Sequence, residues 1–320
     1  MTLPGACPVC GGATREKLSG LYDDRYGYSG LFRLFECRGC GHLHVGARLE
    51  PRHLTRLYTQ FYPRGEFSLD DFKAHEELAG WRAWWNGERS AAFRWVPRNV
   101  RVLDVGCGFG QTLAYHQARG CDAYGCEVDE NIRRVAERYG LKARVGVFNA
   151  QDYEPGFFDY VTLDQVVEHS TAPLALLKGV AFVLKPGGTA VLSTPNPRGL
   201  LAKCFGRRWL NWHIPYHLQF FTRRSMRVAA AQAGLRLVKV RTVTHSEWFT
   251  YQLWHVLSRP QVGSPSAFWT GKVGQPSAML RLGRFVALHR RLGLNKLATR
   301  LLDAMGIGDN RLYFLQKTAP

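Results

Sequence analysis

The sequence has no run of about 18 consecutive apolar residues, so it offers no segment long enough for a transmembrane helix. Its first residues, MTLPGACPVCGG, lack the basic and apolar regions of a secretory signal. We therefore expect a cytoplasmic protein. With 46% hydrophobic and 21% charged residues, the 320-residue chain is also not a fully disordered protein, a coiled coil or a collagen-like fibre. Its length suits one large domain or two modest ones.

Acidic residues are scarce in the last third of the chain. Between Arg198 and Arg300 there are 18 basic residues and one acidic residue, Glu247. This region accounts for nearly all of the net charge of +18. Such a charge favours an anionic partner, which could be nucleic acid, an acidic membrane surface or a phosphorylated substrate. The alternative is a solvated basic surface that serves only solubility.

Four of the eight cysteines form two Cys-x-x-Cys-Gly knuckles. Cys7 and Cys10 belong to the first knuckle, and Cys37 and Cys40 belong to the second. Two knuckles complete the tetrahedral shell of a zinc ion, and the 26 residues between them have room for a hairpin. A closed four-cysteine site leaves no position for water, so the zinc should be structural. A pair of disulfides is the alternative, which the lack of a secretory signal disfavours.

A stretch rich in aromatic residues extends from Leu57 to Pro97. The spacing of Trp81, Trp85 and Trp95 is helical and predicts helices that pack on a larger domain. Core packing is the favoured role of the tryptophans, and the alternative is that Trp81, Trp84 and Trp85 line a substrate pocket.

A glycine-rich loop follows the apolar, β-rich segment that ends at Val105 and leads into a helical segment. A second predicted strand ends in Glu127, which lies 23 positions after Asp104. An acid at the tip of the second strand of a doubly wound sheet is placed to accept hydrogen bonds from ribose hydroxyls. The order of strand, loop, helix, strand and acid therefore predicts a nucleotide-binding site.

The spacing of the glycines distinguishes two classes of nucleotide. The loop contains Gly106, Gly108 and Gly110, which gives G-x-G-x-G, whereas a dinucleotide pyrophosphate favours G-x-G-x-x-G. Asp104 stands two positions before the loop, where it would repel a pyrophosphate but suits a cationic amino group. S-adenosylmethionine has such an ammonium group, a sulfonium and a ribose, and it carries no phosphate.

These segments resemble the class I S-adenosylmethionine-dependent methyltransferases. The resemblance rests on VLDVGCGFG (102–110), YGCEVDE (124–130), FFDYVTLDQVVEH (157–169), LKPGG (184–188) and AVLSTPN (190–196), in family order. It implies that Asp104 and the three loop glycines surround the methionine moiety, that Glu127 binds the ribose, and that Asn149 lies beside the adenine. With its zinc knuckles, the chain also resembles bacterial methyltransferases of sugar and cell-envelope glycan synthesis.

We expect an α/β fold, with a doubly wound Rossmann-like methyltransferase sheet, a small N-terminal zinc ribbon and a helical basic insertion near the C-terminus. The predicted units are the zinc ribbon (1–48), an aromatic-rich helical segment packed on the core (49–97), the methyltransferase core (98–245), the insertion (246–307) and the last core strand (308–320). Residues 185–188 should form a turn between a helix and a strand.

The insertion contains a predicted amphipathic basic helix over residues 281–300. Its apolar positions are Leu282, Phe285, Val286, Leu292 and Leu297, and its basic positions are Arg284, Arg290, Arg291 and Lys296. Such a helix suits an acidic membrane surface, and a helix docked on its own domain has the same pattern. Both interpretations stay open from the sequence.

Methyl transfer to a hydroxyl needs a base at the carboxyl ends of the strands. His217 is our first candidate because its loop is placed to cover the acceptor, and His169 is the second. For each the alternative is a histidine that only orders its loop. In the methyltransferase family that the chain resembles, a Glu-His pair at this position is common; it is sometimes a metal site, as in ubiquinone-pathway O-methyltransferases, and sometimes only structural. Because Asp164-Gln165 departs from that pattern, we predict no catalytic metal.

The sequence as a whole predicts an S-adenosylmethionine-dependent methyltransferase that acts on a hydroxyl of an anionic glycan precursor linked to a lipid or a nucleotide. Peripheral contact with the inner face of an acidic membrane fits the same charges. The alternatives are an RNA methyltransferase and a non-catalytic binding protein with the same fold. RNA is the less favoured partner because the basic residues lie among Leu and Trp rather than in an RNA-binding consensus. A nicotinamide-dependent oxidoreductase is disfavoured by the glycine spacing.

Overall fold

The structure is a computed structural model that describes residues 5–46, 53, 56–62, 69–78, 80–271 and 277–318. Two β-sheets organise this part of the chain. The strands are β1 (Thr14–Leu21), β2 (Phe32–Cys37), β3 (Leu43–Val45), β4 (Arg101–Val105), β5 (Asp122–Glu127), β6 (Lys142–Val145), β7 (Phe158–Asp164), β8 (Leu184–Pro195), β9 (Gln219–Phe220), β10 (Leu235–Thr242) and β11 (Asn310–Lys317).

The larger sheet has seven strands in the order β10-β11-β8-β7-β4-β5-β6. Strands β4 to β8 run parallel to one another, and β11 lies antiparallel between β8 and β10. The central strands are buried on both faces, as Leu103, Val161 and Leu192 are each fully buried. This arrangement confirms the predicted α/β class and Rossmann-like methyltransferase sheet, including the antiparallel last strand.

Helices cover both faces of this sheet. The helices of the described residues are α1 (Gly80–Asn86), α2 (Gln111–Gln117), α3 (Asn131–Tyr139), α4 (Pro173–Val183), α5 (Leu200–Phe205), α6 (Arg223–Gln232), α7 (Glu247–Leu257), α8 (Ala267–Thr270), α9 (Ser277–Arg291) and α10 (Leu294–Ala304). Those that pack on strands of the sheet are α2, α3, α4 and α6. On one face, Leu113 and Ile132 pack with Val102 of β4. On the other face, Leu177 and Ala229 belong to the core that includes Leu103 and its neighbours. The sheet is thus held between two apolar layers, and its carboxyl edge is left for a site.

The turn predicted over residues 185–188 is wrong. These residues belong to β8, because Phe158 pairs with Leu184 and Tyr160 pairs with Thr189. Residues 185–188 are therefore a bulge within the strand, in which Gly187 has a φ of 77°. The Pro-Gly-Gly sequence bends the strand without ending it.

The smaller sheet joins the N-terminal cysteine region to the rest of the chain. Its order is β1-β2-β3-β9, so three strands come from the N-terminal region and β9 comes from the segment between β8 and α6. Leu43 pairs with Phe220, and His44 pairs with Gln219. The hairpin predicted between the knuckles is formed by β1 and β2. The predicted boundary at residue 48 lies outside the described residues.

The aromatic-rich segment packs differently from the prediction. Its described helical parts are a π-helical turn (Leu57–Phe61), α1 and three short 3-10 turns, Leu69–Asp71, Glu88–Ser90 and Ala92–Trp95. Trp95 contacts Phe314, but 68% of Trp81 and 57% of Trp84 are exposed. The core role predicted for these two tryptophans is therefore wrong, because the helix that carries them leaves both side chains largely in solvent.

The single basic helix predicted over residues 281–300 is also wrong. The chain forms α9 and α10 instead, and Gly293 between them has a φ of 70°. Val286 is buried, whereas Leu292 and Leu297 are exposed. The side chains of Leu282 and Phe285 lie outside the described part of the structure. Among the described residues, no helix is long and apolar enough to cross a membrane.

Candidate functional site

The glycine loop lies at the carboxyl end of β4. Gly106, Gly108 and Gly110 all have positive φ, at 76°, 55° and 81°. A Cβ on Gly106 would lie 2.6 Å from Val166, and one on Gly110 would lie 2.7 Å from Leu141, so both ends of the loop are closely packed. A Cβ on Gly108 would meet nothing within 4 Å. The middle of the loop is therefore the place where a ligand can approach the backbone.

Glu127 joins this loop to the tip of β5. One carboxylate oxygen accepts a hydrogen bond from the Gly108 N–H at 2.9 Å. The other oxygen accepts from the N–H groups of Val128 at 2.7 Å and Asp129 at 3.1 Å. The carboxylate thus lies beside the open middle of the loop. Its contact with a ribose stays a prediction.

Asp104 is buried beneath the loop. Its Oδ1 accepts a hydrogen bond from the Thr162 hydroxyl at 2.6 Å, and its Oδ2 accepts one from the Thr112 hydroxyl. Burial raises the pKa of Asp104 to about 6, which leaves the carboxylate mainly ionised at neutral pH. A negative charge at this position suits a cationic ligand group above it, and that contact stays a prediction.

Asn149 occupies the end of the loop that follows β6. Its side chain caps the 3-10 turn Ala150–Asp152 by accepting a hydrogen bond from the Gln151 N–H at 3.2 Å. The residue is exposed. The predicted contact with an adenine is untested.

The two candidate bases lie side by side. His169 ends the 3-10 turn Val167–His169 after β7, His217 precedes β9, and their ring centroids are 4.7 Å apart. The Nδ1 of His217 lies 2.9 Å from the Asn211 carbonyl oxygen, and the Nδ1 of His169 lies 3.0 Å from the Tyr216 carbonyl oxygen. Because a carbonyl only accepts, each Nδ1 carries the hydrogen and each Nε2 holds a lone pair.

Burial determines the protonation of both rings. It lowers the pKa of His169 to about 4 and that of His217 well below its ordinary value. Both imidazoles are therefore neutral at pH 7. Among the described residues, neither Nε2 has a hydrogen-bond partner. The Nε2 of His213 is also unpaired, and its ring lies 4.9 Å from that of His217, so three imidazole nitrogen atoms can accept a proton at this site. The catalytic roles of His169 and His217 stay predictions.

Glu168 lies next to the two histidines and is fully buried. Burial raises the pKa of its carboxyl to about 8. Ligand atoms of Glu168, His169 and His217 lie within 4.8 Å of one another, so the three side chains could hold a metal ion. The expectation that no catalytic metal is used stays a prediction.

Four tyrosines surround the histidines, and the sequence analysis did not identify them. The rings of Tyr26, Tyr58, Tyr62 and Tyr216 contact one another, with centroids 5.3 to 5.7 Å apart. The Tyr58 hydroxyl lies 3.1 Å from the Nδ1 of His169. Tyr58 and Tyr62 belong to the aromatic-rich segment, whose density of aromatic residues was a signal for a pocket as well as for a core. Aromatic faces with hydroxyl groups suit a sugar or an aromatic acceptor.

Gln219 connects the cysteine region to the histidine site and was also missed. Its Oε1 lies 2.9 Å from the Nε2 of His42, and its Nε2 donates to the Ser170 carbonyl oxygen at 3.0 Å. Ser170 follows His169 directly. The backbone supports the same connection, because the N–H of Leu218 donates to the Glu168 carbonyl oxygen at 2.7 Å.

The four knuckle cysteines form one cluster. Their sulfur atoms lie within 4.8 Å of one another, with 3.7 Å between Cys7 and Cys40 and 3.4 Å between Cys10 and Cys37. A tetrahedral zinc ion with bonds of about 2.3 Å places its sulfur ligands about 3.8 Å apart, so the cluster fits such an ion. None of the four cysteines forms a disulfide. The disulfide alternative is therefore not adopted.

Comparisons with known proteins show what this chain is similar to. Residues 81–240 match a family described as a methyltransferase domain. The ubiquinone biosynthesis O-methyltransferase of Xanthomonas campestris pv. campestris (strain B100) is 33% identical over 163 residues, which span 47% of this chain and 68% of that protein. The ubiquinone biosynthesis O-methyltransferase of Cupriavidus pinatubonensis is 30% identical over 161 residues, which span 46% of this chain and 64% of that protein. A crystal structure of a SAM dependent methyltransferase from Archaeoglobus fulgidus aligns at a TM-score of 0.43 and 18% identity, over 71% of this chain and 88% of that one.

Proposed function

The chain belongs to the methyltransferase-domain family and is an S-adenosylmethionine-dependent methyltransferase, and we propose that it methylates a hydroxyl group of an anionic glycan precursor linked to a nucleotide or a lipid. The observation that carries the choice of a hydroxyl is the pair of neutral histidines, each with a free Nε2, beside a ring of tyrosines. A hydroxyl must lose a proton on methylation, and these nitrogen atoms are placed to accept it.

The cofactor supplies a methyl group on a sulfonium. In our proposal the open middle of the loop at Gly108 admits the cofactor, and Glu127 accepts hydrogen bonds from its ribose hydroxyls. The buried charge of Asp104 attracts its ammonium group, and Asn149 lies beside its adenine. Held in this way, the cofactor needs only an acceptor in line with its methyl group, so positioning supplies much of the rate.

His217 is the base in this proposal. Its Nδ1–H is fixed by the Asn211 carbonyl, which aims the Nε2 lone pair away from the backbone. The ring of His169 contacts the ring of His217, and its Nδ1 is oriented by the Tyr216 carbonyl oxygen and the Tyr58 hydroxyl. The low pKa values make both nitrogen atoms weak bases that are never blocked by a proton at neutral pH. The tyrosine rings then hold the apolar face of a sugar while their hydroxyls bind its oxygens.

Binding of the demethylated cofactor tests the cofactor site. Calorimetry should show that S-adenosylhomocysteine binds the wild type and that Glu127→Ala weakens binding by about 1–3 kcal/mol, because buried ribose hydroxyls lose their acceptor. Glu130→Ala is the matched control, since Glu130 is an exposed acid on the same loop. Equal affinities of the wild type and Glu127→Ala for S-adenosylhomocysteine would show that Glu127 does not bind the ribose.

A methyl-transfer assay with radiolabelled cofactor tests the acceptor. The panel contains nucleotide-linked sugars, a lipid-linked saccharide, a prenylated phenol and an RNA oligomer. We expect methylation of a sugar hydroxyl. The name of the ubiquinone biosynthesis relatives favours a phenolic hydroxyl as the second candidate. Methylation of the phenol alone would replace the glycan proposal, and methylation of RNA alone would overturn both.

The four-cysteine cluster holds a structural zinc ion in our proposal. Sulfur distances of 3.4 and 3.7 Å and the two Cys-x-x-Cys-Gly turns support it. Each turn is closed by a backbone hydrogen bond, from Gly11 to the Cys7 carbonyl and from Gly41 to the Cys37 carbonyl. Elemental analysis of protein purified without chelator should find one zinc per chain. Absence of zinc from this protein would show that the four cysteines do not hold a zinc ion.

We also propose that α9 and α10 touch an acidic membrane. They expose a group of leucines, Leu288, Leu292, Leu294, Leu297 and Leu301, of which Leu292 is 63% exposed. Arg284 and Arg291 are exposed on α9. Charge reversal at Arg284 and Arg291 should abolish co-sedimentation with anionic vesicles, as each charge contributes about 1 kcal/mol near the surface. Wild-type protein that binds RNA with a steep salt dependence, but no vesicles, would contradict this proposal.

A further inference from the structure

A cleft of about 520 Å³ lies between the second cysteine knuckle, the N-terminus of α6 and the start of β11. Arginines dominate its lining. They are Arg15, Arg38, Arg198, Arg223, Arg224 and Arg311. No interaction described above explains why six guanidinium groups meet at this place.

The acidic groups at the cleft do not balance these charges. Glu36 is the only carboxylate of the lining, and it is already paired with Arg15 at 3.1 Å and with Arg198. A zinc ion held by four thiolates would carry a formal charge of −2 beside the cleft. Even with that charge and Glu36, an excess of three positive charges remains. In the described part of the chain, Arg38, Arg223 and Arg224 form no ion pair.

The N-terminus of α6 adds to the positive potential of the cleft. Thr222 caps the helix by accepting a hydrogen bond from the Ser225 N–H at 3.1 Å. The first turn then contains Arg223 and Arg224 and no acidic residue. Cations at a helix N-terminus oppose the helix dipole, so this arrangement is unfavourable unless an anion lies between them.

We propose that this cleft binds the diphosphate group of a small molecule. Guanidinium groups pair with phosphate oxygens in a bidentate manner, and several of them around one cleft suit a group with more than one negative charge. The volume of about 520 Å³ admits a diphosphate with part of the molecule that carries it. The proposal rests on the proposed function only for what that molecule is, since a nucleotide-linked or lipid-linked sugar contains this group.

The position of the cleft connects it to the methyl-transfer site. Arg311 is the second residue of β11 and follows Asn310. The side-chain amide of Asn310 donates a hydrogen bond to the Ser193 hydroxyl at 3.2 Å, at the carboxyl end of β8. Gln165 reaches the same Asn310 side chain at 3.1 Å from the end of β7. The cleft therefore lies at the same edge of the sheet as the histidines.

Calorimetry with UDP tests the site on the zinc-loaded, full-length protein. Saturating S-adenosylhomocysteine is present, so that the nucleotide cannot enter the cofactor site. We expect saturable binding of UDP and CDP with similar affinity, and no binding of uridine. Arg224→Ala with Arg311→Ala should weaken UDP binding by about tenfold or more, because two charge-assisted contacts are lost.

The matched control is Arg227→Ala with Arg241→Ala, which removes the same charge from exposed arginines of α6 and β10 outside the cleft. UDP affinity should stay within about twofold in this control, since surface charges act weakly at a distance. All variants should bind S-adenosylhomocysteine like the wild type, which shows that they fold. If the first double variant fails this check, Arg38→Ala replaces it, as Arg38 is exposed on the knuckle.

Three results would overturn the proposal. The first is a wild type that does not bind UDP saturably. The second is equal weakening in the cleft variant and the control variant, which would mean a general effect of charge. The third is an RNA oligomer that binds the cleft and is not displaced by UDP, which would assign the arginines to nucleic acid. A wild type that binds UDP but transfers no methyl group to a nucleotide-linked or lipid-linked sugar would count against the proposed function and not against this site.

Discussion

Replacement of Gln219 by leucine should destabilise the protein and disturb the histidine site together. Gln219 is buried and makes two hydrogen bonds, to His42 in the cysteine region and to the Ser170 carbonyl beside His169. Burial lowers the pKa of His42 to about 3, so the ring is neutral in any assay near pH 7 and its Nε2 donates to the glutamine oxygen. Leucine has a similar size but can neither accept nor donate.

The magnitude follows from the groups that are left without partners. His42 is fully buried, so its unpaired Nε2–H costs about 1–3 kcal/mol. Ser170 is half-buried, and its carbonyl costs about 1 kcal/mol or less because water reaches it in part. Gln219→Leu should therefore lower the free energy of unfolding by about 1–4 kcal/mol. Methyl transfer should fall as well, because His169 adjoins the released carbonyl.

Urea unfolding of the zinc-loaded protein measures this effect, and a double-mutant cycle with His42→Leu shows its origin. When both partners are apolar, no buried donor is left unpaired, so the double variant should be more stable than the sum of the two single changes predicts. The expected coupling is at least about 1 kcal/mol. A loss below about 0.5 kcal/mol for Gln219→Leu, or additive changes in the cycle, would refute the reasoning.

Three further changes test other parts of the molecule. Cys37→Ser should release the zinc, measured by elemental analysis, and leave S-adenosylhomocysteine affinity unchanged; retention of one zinc per chain would contradict this. His217→Ala should lower the turnover number by about 10²–10⁴ without changing cofactor affinity, and a loss below tenfold would exclude a base. Burial raises the pKa of Asp309 to about 7, so the folded state binds more protons than the unfolded state between about pH 4 and 7, and the contribution of Asp309 to stability falls as the pH rises through that window. Asp309→Asn should therefore flatten the dependence of the free energy of unfolding on pH, measured by urea titrations, and an unchanged slope would count against this prediction.

The sequence predicted the features that depend on neighbouring residues. The glycine loop, the strand before it and Glu127 follow one another within 30 residues, and local patterns of apolar residues and glycines are enough to order them. The seven-stranded sheet follows from several such units, because parallel strands joined by helices have few alternative arrangements. The four cysteines were likewise predicted from two short motifs.

Features that depend on distant residues could not be predicted in this way. Tyr58 and His169 are 111 positions apart, and nothing in either local segment indicates that they meet. β9 has two residues, too few for a periodic pattern, so its pairing with β3 was not foreseen. The break at Gly293 and the bulge at residues 185–188 were misjudged because one glycine is compatible with both a continued and an interrupted element.

The pairing of β3 with β9 has a consequence for the order in which the chain folds during synthesis. His42 and Gln219 are 177 positions apart, so the ribosome has made most of the protein before the N-terminal sheet meets its fourth strand. Until then β3 is an edge strand with unpaired backbone groups, which can pair with another chain. The cysteine knuckles can close around a metal early, but their sheet is completed late. A nascent chain halted before residue 219 should therefore be prone to self-association, and the N-terminal region is not a unit that can be cut away and expressed alone with its sheet intact.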